Sequence, residues 1–192
     1  MVLQAEAAKP KPNPHAATSS RPNALMSMEE SRARQIRTQK FPILWKVDPE
    51  VKVDRVEVRL EDQQVLVFQN NRVVGKSPIS SGRDGYTTPS GSFTVLEKSK
   101  DHRSGEYGSF VNNQGKVVNA NAEAGQTPPE GCTYVPAEMP YFLRFTGGGI
   151  GLHLGFLPGY PASHGCVRIP RQFAENLFTV ITLGTPIAVI QD

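Results

Sequence analysis

"RVEVRLEDQQVLVFQNNRVVGKSPIS", residues 55–80, is the stretch on which the fold turns. Val56, Val58 and Leu60 alternate with Arg55, Glu57 and Arg59, the period-two pattern of a strand with one buried face. The rest of the stretch reads as two further strands about Asn70-Asn71, since asparagine tolerates the positive φ of a tight hairpin turn.

Outward from this hairpin the β texture persists. "GRDGYTTPSGSFTVLEK" gives a Gly-rich loop, a Pro89–Gly91 turn and a strand over about 92–97, with Tyr86 and Ser90 read as turn residues. Residues 99–131 carry few apolar runs and much Gly, Asn and Pro, which predicts a long excursion of a functional or mobile kind, a lid over a cleft being one use for it. "YFLRF" (141–145) and "IGLHL" (150–154) are strands separated by a TGGG turn. "PRQFAENLFTVIT" places Pro170 at a helix start, with Phe173, Leu177, Val180 and Ile181 at helical spacing. "TPIAVIQD" ends the chain as a strand. Seven or eight strands and one helix make the body, residues 53–192, mainly β.

The N-terminal part differs. Residues 1–25 are Pro-rich and polar, and Ser27 with Glu30 forms a capping-box pattern that predicts a short helix over 28–39. Residues 1–40 hold seven Lys/Arg and three Asp/Glu (net +4), against 14 and 15 in residues 41–192 (net −1). The basic balance therefore belongs to a flexible tail, and the body has no basic stripe with interleaved aromatics of the kind that binds nucleic acid. No apolar run approaches the ~18 residues of a membrane span. The first 20 residues lack an apolar h-region, as expected where a signal peptide has been removed or omitted.

The chemistry is concentrated near the C-terminal end. His153, His164, Cys166 and Arg168 fall within 16 residues, and "SHGCVR" (163–168) sets the thiol among a histidine, a glycine and a cation. A thiol becomes a useful nucleophile when a base takes its proton or a positive environment lowers its pKa. His153 is the candidate base. The Gly165 and Cys166 amides are candidate oxyanion donors, and Arg168 is a candidate carboxylate ligand. His164 is open to two readings, as a base or as a loop-organising hydrogen bonder. Tyr141 and Phe142 either line the cleft or fill the strand core. Cys132 and Cys166 do not amount to a disulfide framework, and pairing them would mask the tuned thiol. A zinc site from His153, His164, Cys166 and Cys132 meets the ligand count but lacks the paired CxxC-type spacing.

"HLGFLPGYPASHGCVRIP" resembles the active-site signature of L,D-transpeptidases of the YkuD type, a histidine followed downstream by Ser/Thr-His-Gly-Cys. The stretch 55–98, with its Thr-Pro-Ser-Gly turn, resembles that family's opening, and the likeness runs from about Val53 to Asp192. The resemblance implies a β-sandwich-like catalytic domain acting on peptidoglycan stem peptides in an extracytoplasmic compartment, with no metal or organic cofactor. It implies Cys166 as nucleophile and His153 as base, with Ser163, His164 and Gly165 completing the signature and Arg168 at its polar position. It implies acyl transfer from the bond between the third stem residue and terminal D-Ala to an amine. Alternatives are transfer to water, release of a wall-attached protein, or a non-catalytic wall-binding module. Leu154 follows His153 here, so any group ordering the base is a backbone oxygen. The short His153–His164 spacing implies a tight loop.

Overall fold

The computed structural model describes residues 42–191, so the tail expected over 1–40 and its helix over 28–39 lie outside the described residues. The strands are β1 (Leu44–Trp45), β2 (Arg55–Arg59), β3 (Gln64–Gln69), β4 (Arg72–Pro78), β5 (Gly91–Thr94), β6 (Glu97–Asn112), β7 (Val117–Glu123), β8 (Cys132–Arg144), β9 (Gly151–Leu154), β10 (Val167–Ile169) and β11 (Pro186–Ile190). One helix, α1 (Arg171–Val180), lies between the last two. The strands form two sheets, ordered β1-β4-β3-β2-β11-β5 and β10-β9-β8-β6-β7.

The opening strands form as their alternation predicts. β2, β3 and β4 pair antiparallel, and Asn70 and Asn71 both take positive φ, 50° and 57°, in the turn between β3 and β4. β3 is buried along its whole length. Val65 and Val67 enter the core, while Phe68 is capped by the Arg55 guanidinium 3.7 Å from its ring centroid. Residues 42–52, which the sequence leaves unassigned, add β1 to the edge of this sheet and bring Trp45 edge-on to Phe173 of α1, with centroids 5.1 Å apart.

The core is a sandwich. Val56, Val58, Val65 and Val67 of the first sheet meet Leu143, Leu152, Val167 and Ile169 of the second, and α1 adds Phe173, Ala174 and Leu177. Pro170 begins α1 because its fixed φ (−64°) suits a helix entry and its missing N–H is not needed there.

The expected excursion over 99–131 is corrected. That segment lies in β6 and β7 and the turns that follow each of them up to β8, with β6 paired antiparallel to both β7 and β8 in a sheet that runs beyond the sandwich. Outside the sandwich neither face of this projecting sheet meets a core, so apolar alternation has no role, and β7 is exposed at all but one position. The backbone pairs with itself, and the side chains that face water are mostly polar, with Val117, Val118 and Val135 exposed among them. With β6 and β7, and with the short β1 and β10 elsewhere, the described residues hold eleven strands rather than seven or eight.

Replacing Phe173, fully buried beneath Trp45, tests this core. Phe173→Ala is expected to lower stability by about 3–5 kcal/mol, read from urea unfolding midpoints at unchanged slope.

Candidate active site

β9 and β10 lie side by side in parallel, with Leu152 opposite Val167 and His153 opposite Arg168. Leu152 and Val167 point into the core, so the alternation turns His153 and Arg168 to the other face. Cys166, immediately before β10, lies within hydrogen-bond reach of the Gly151 backbone. The pairing thus sets the candidate base on β9 and the candidate nucleophile in the bend that leads directly into the neighbouring β10. Gly151 is required by close approach: a Cβ there would come within 2.5 Å of the Phe142 ring and 2.6 Å of the Leu143 carbonyl oxygen.

His153 is buried, and its Nδ1 lies 2.8 Å from the carbonyl oxygen of Leu154. A carbonyl can only accept, so Nδ1 carries the proton and Nε2 keeps its lone pair. The backbone oxygen expected after the histidine is therefore present. Burial, with smaller help from Arg168 and His102, lowers the His153 pKa to about 4 against the upward pull of that carbonyl. Burial likewise pushes the Cys166 thiol up, and a backbone hydrogen bond from Gly151 and the charge of Arg168 offset this only in part. The Cys166 Sγ sits 3.9 Å from the Gly149 carbonyl oxygen.

The bend before Cys166 is closed by Ser163. Its hydroxyl donates to the Cys166 carbonyl and accepts the Gly165 N–H at 3.0 Å. Gly165 takes φ +114°, a conformation that strains any other residue. This corrects one expectation: the Gly165 amide is committed to Ser163, so of the two candidate oxyanion donors it is the one already taken.

The 80–88 loop holds the bend from outside. Ser81 accepts the Ala162 and Ser163 amides, and Arg83 N–H donates to the Ser163 carbonyl at 3.0 Å. The buried Thr88 hydroxyl donates to the Gly165 carbonyl at 2.7 Å and accepts the Gly82 N–H at 2.9 Å. Arg168 is half-buried and exchanges both backbone hydrogen bonds with Ser80.

His164 is a hub of this arrangement. Tyr107 of β6 stacks on it at 4.3 Å with the rings 21° apart, and Tyr86 meets it edge-on at 4.7 Å. Its Nε2 lies 2.8 Å from Arg83 Nη2 and must be the acceptor, because a guanidinium only donates. Burial, then Arg83 and Arg168, lower its pKa against the opposing pull of Glu123. Of the two readings left open for His164, these contacts match loop organisation. Tyr86, read as a turn residue, is one, its N–H donating to the Arg83 carbonyl at 2.9 Å, and its ring also meets His164.

Tyr141 does not join this group. At φ +57° it turns towards the helix and packs edge-on against Phe178, while Phe142 is wholly buried. The ligands imagined for zinc do not converge: Cys132 opens β8 opposite Asn112, both cysteines are unpaired, and among the described residues no three His, Cys, Asp or Glu side chains stand together. Sequence reasoning missed Arg83, Thr88 and Tyr107. The available signal was an arginine isolated in a loop of small residues, "SSGRDGYTTPSG".

A sequence model of the L,D-transpeptidase catalytic domain (YkuD) matches residues 53–189. The chain is 28% identical over 120 residues to a probable L,D-transpeptidase 3 of Mycobacterium tuberculosis (strain ATCC 25618 / H37Rv), an alignment covering 60% of this chain and 38% of that protein. In structure it resembles an L,D-transpeptidase of Mycobacterium smegmatis (TM-score 0.54, 21% identity, 72% of this chain and 58% of that one). It also resembles one of Stackebrandtia nassauensis (TM-score 0.54, 20% identity, 85% and 66%). At these identities the two structures speak for a shared fold. The chain spans little more than a third of the mycobacterial relative's length.

Because the His153 pKa is lowered in the folded protein, the unfolded chain binds the extra proton between its ordinary value and about 4. The stability this residue contributes is therefore full above about pH 6.5 and is lost as the pH falls towards 4, a loss of roughly 3 kcal/mol. Urea unfolding at pH 7 and pH 4 is expected to show that increment in wild type and not in His153→Gln.

Proposed function

The chain belongs to the L,D-transpeptidase (YkuD) catalytic-domain family, and from that premise we propose that it is a peptidoglycan-modifying cysteine acyltransferase. The observation that carries the reading is the state of His153: buried, neutral, with Nδ1–H tied to Leu154 and Nε2 open, on the strand beside Cys166. With the thiol pushed up and the imidazole pushed down, the resting pair is thiol and neutral imidazole rather than a standing ion pair. This favours proton removal during attack over a preformed thiolate.

In this reading Cys166 Sγ attacks the carbonyl that links the third stem residue, at the L-centre of its diamino acid, to the terminal D-Ala. The thiol proton passes to His153 Nε2, and the oxyanion faces the Cys166 N–H. Collapse breaks the C–N bond, His153 returns the proton to the departing amine, and D-Ala leaves a thioester on Cys166. An amine of a second stem then attacks, gives its proton to His153 and restores the thiol. Arg168 supplies positive charge on the same face for a substrate carboxylate. Such a substrate sets the working compartment outside the cytoplasm, where stem peptides and a wall-attached protein are within reach.

Intact mass after incubation with a carbapenem tests the nucleophile. One adduct per chain is expected on wild type and none on Cys166→Ala; an unmodified wild type overturns the reading. The acylation rate should be nearly flat between pH 5 and pH 8 and fall about tenfold per pH unit below about 4, as His153 takes up its proton. A rate that climbs steadily from pH 5 to pH 8 would indicate instead that the reacting thiolate forms by simple titration of Cys166, without His153 as its base. Stem peptides offered with competing amine and water then measure how the thioester partitions.

A further inference from the structure

Arg83 is not used by the mechanism above, yet it is held with care. Among the described residues it makes no ion pair. Its guanidinium lies over the Tyr86 ring, 4.5 Å from the centroid, and donates through Nη2 to His164 Nε2 at 2.8 Å. Its backbone N–H donates to the Ser163 carbonyl one residue earlier. The far side of the His164 ring is covered by Tyr107, which belongs to the projecting sheet.

Only Gly165, at φ +114°, separates His164 from Cys166. A glycine in that position is a pivot, and the direction of the thiol depends on what fixes the residues around it. Thr88 and Ser163 fix Gly165 itself. We propose that Arg83 is a positioning residue for the nucleophile: through His164 it clamps the bend that carries Cys166, and through the Tyr107 stack it ties that bend to the projecting sheet. The proposal deepens the acyl-transfer reading, on which its kinetic readout rests; the clamp itself can be measured without it.

The clamp requires a neutral His164, because a protonated ring would face Arg83 donor to donor and charge to charge. The groups facing the ring are Arg83 and Tyr86 from the loop, Tyr107 from β6, Glu123 from β7 and Arg168 from β10, with Glu106 beside Tyr107. Arg83 and Arg168 favour the neutral ring, and Glu123 opposes them. Removing Arg83 therefore both frees the bend and raises the pH at which His164 takes a proton.

Two measurements on the full chain test this: the imidazole titration of His164 by NMR, assigned against His164→Gln, and carbapenem acylation rates from pH 5 to pH 8. In Arg83→Met the His164 midpoint should rise and acylation should slow at least about tenfold, more so at the acidic end. Arg83→Lys, which keeps a charged donor, should recover part of both. Acylation within about twofold of wild type, or an unmoved His164 midpoint, overturns the proposal. If near-UV circular dichroism shows that Arg83→Met does not fold, Tyr107→Leu probes the other face of the ring by the same two readouts, and a wild-type result there overturns the proposal equally. A wild type that is never acylated defeats the acyl-transfer reading, while the His164 titration still decides whether the clamp exists.

Discussion

The parallel pairing of β9 with β10 is the constraint from which the site follows. Two residues of each strand, Leu152 with Leu154 and Val167 with Ile169, face the core or its margin, and with period two the residues between them must face away. His153 and Arg168 are therefore set by the packing of their neighbours. A slip of one residue would put the histidine in the hydrophobic core and a leucine beside the thiol. Catalytic geometry and hydrophobic burial are one condition on this register.

The same burial sets the electrostatics. A thiol beside a histidine and an arginine suggests from sequence a lowered pKa, but desolvation is the largest influence on both Cys166 and His153, and it favours the neutral form of each. Arg168 pulls the thiol down and the imidazole down together, so it cannot turn the pair into ions. What remains is a base whose open nitrogen is fixed by the Leu154 carbonyl, ready to accept a proton when the sulfur begins to bond.

Much of this was legible in the chain. The β2–β4 run, the Asn-Asn turn, the Pro170 helix and the closing strand all advertise themselves, because each buries one face against a core and so carries a periodic apolar pattern. The SHGC bend with its upstream histidine was legible for another reason: its chemistry needs unusual residues close together. The projecting β6–β8 sheet was not legible, since strands without a core on either face carry no apolar alternation. Nor were Arg83, Thr88 and Tyr107, whose importance lies in contacts across some eighty residues of chain for Arg83 and Thr88. The commitment of the Gly165 amide is equally hidden, because sequence shows that an N–H exists and not that Ser163 has already taken it.

These misses share a cause, and it bears on how the bend is built. A sharp turn with a positive-φ glycine next to a nucleophile has little stability of its own, so its shape must be imposed from outside. Here the imposition comes from three directions: the Ser163 hydroxyl within the bend, the Thr88 hydroxyl and Arg83 from the 80–88 loop, and the Tyr107 ring from the projecting sheet. None of these groups has to react. Their residue types are common, and beyond the isolation of Arg83 among small residues nothing in their local sequence distinguishes them from ordinary turn or strand residues. A reactive residue is chosen for its own chemistry and can be found in one dimension, whereas a supporting residue is chosen for its reach and is found only once the chain has folded.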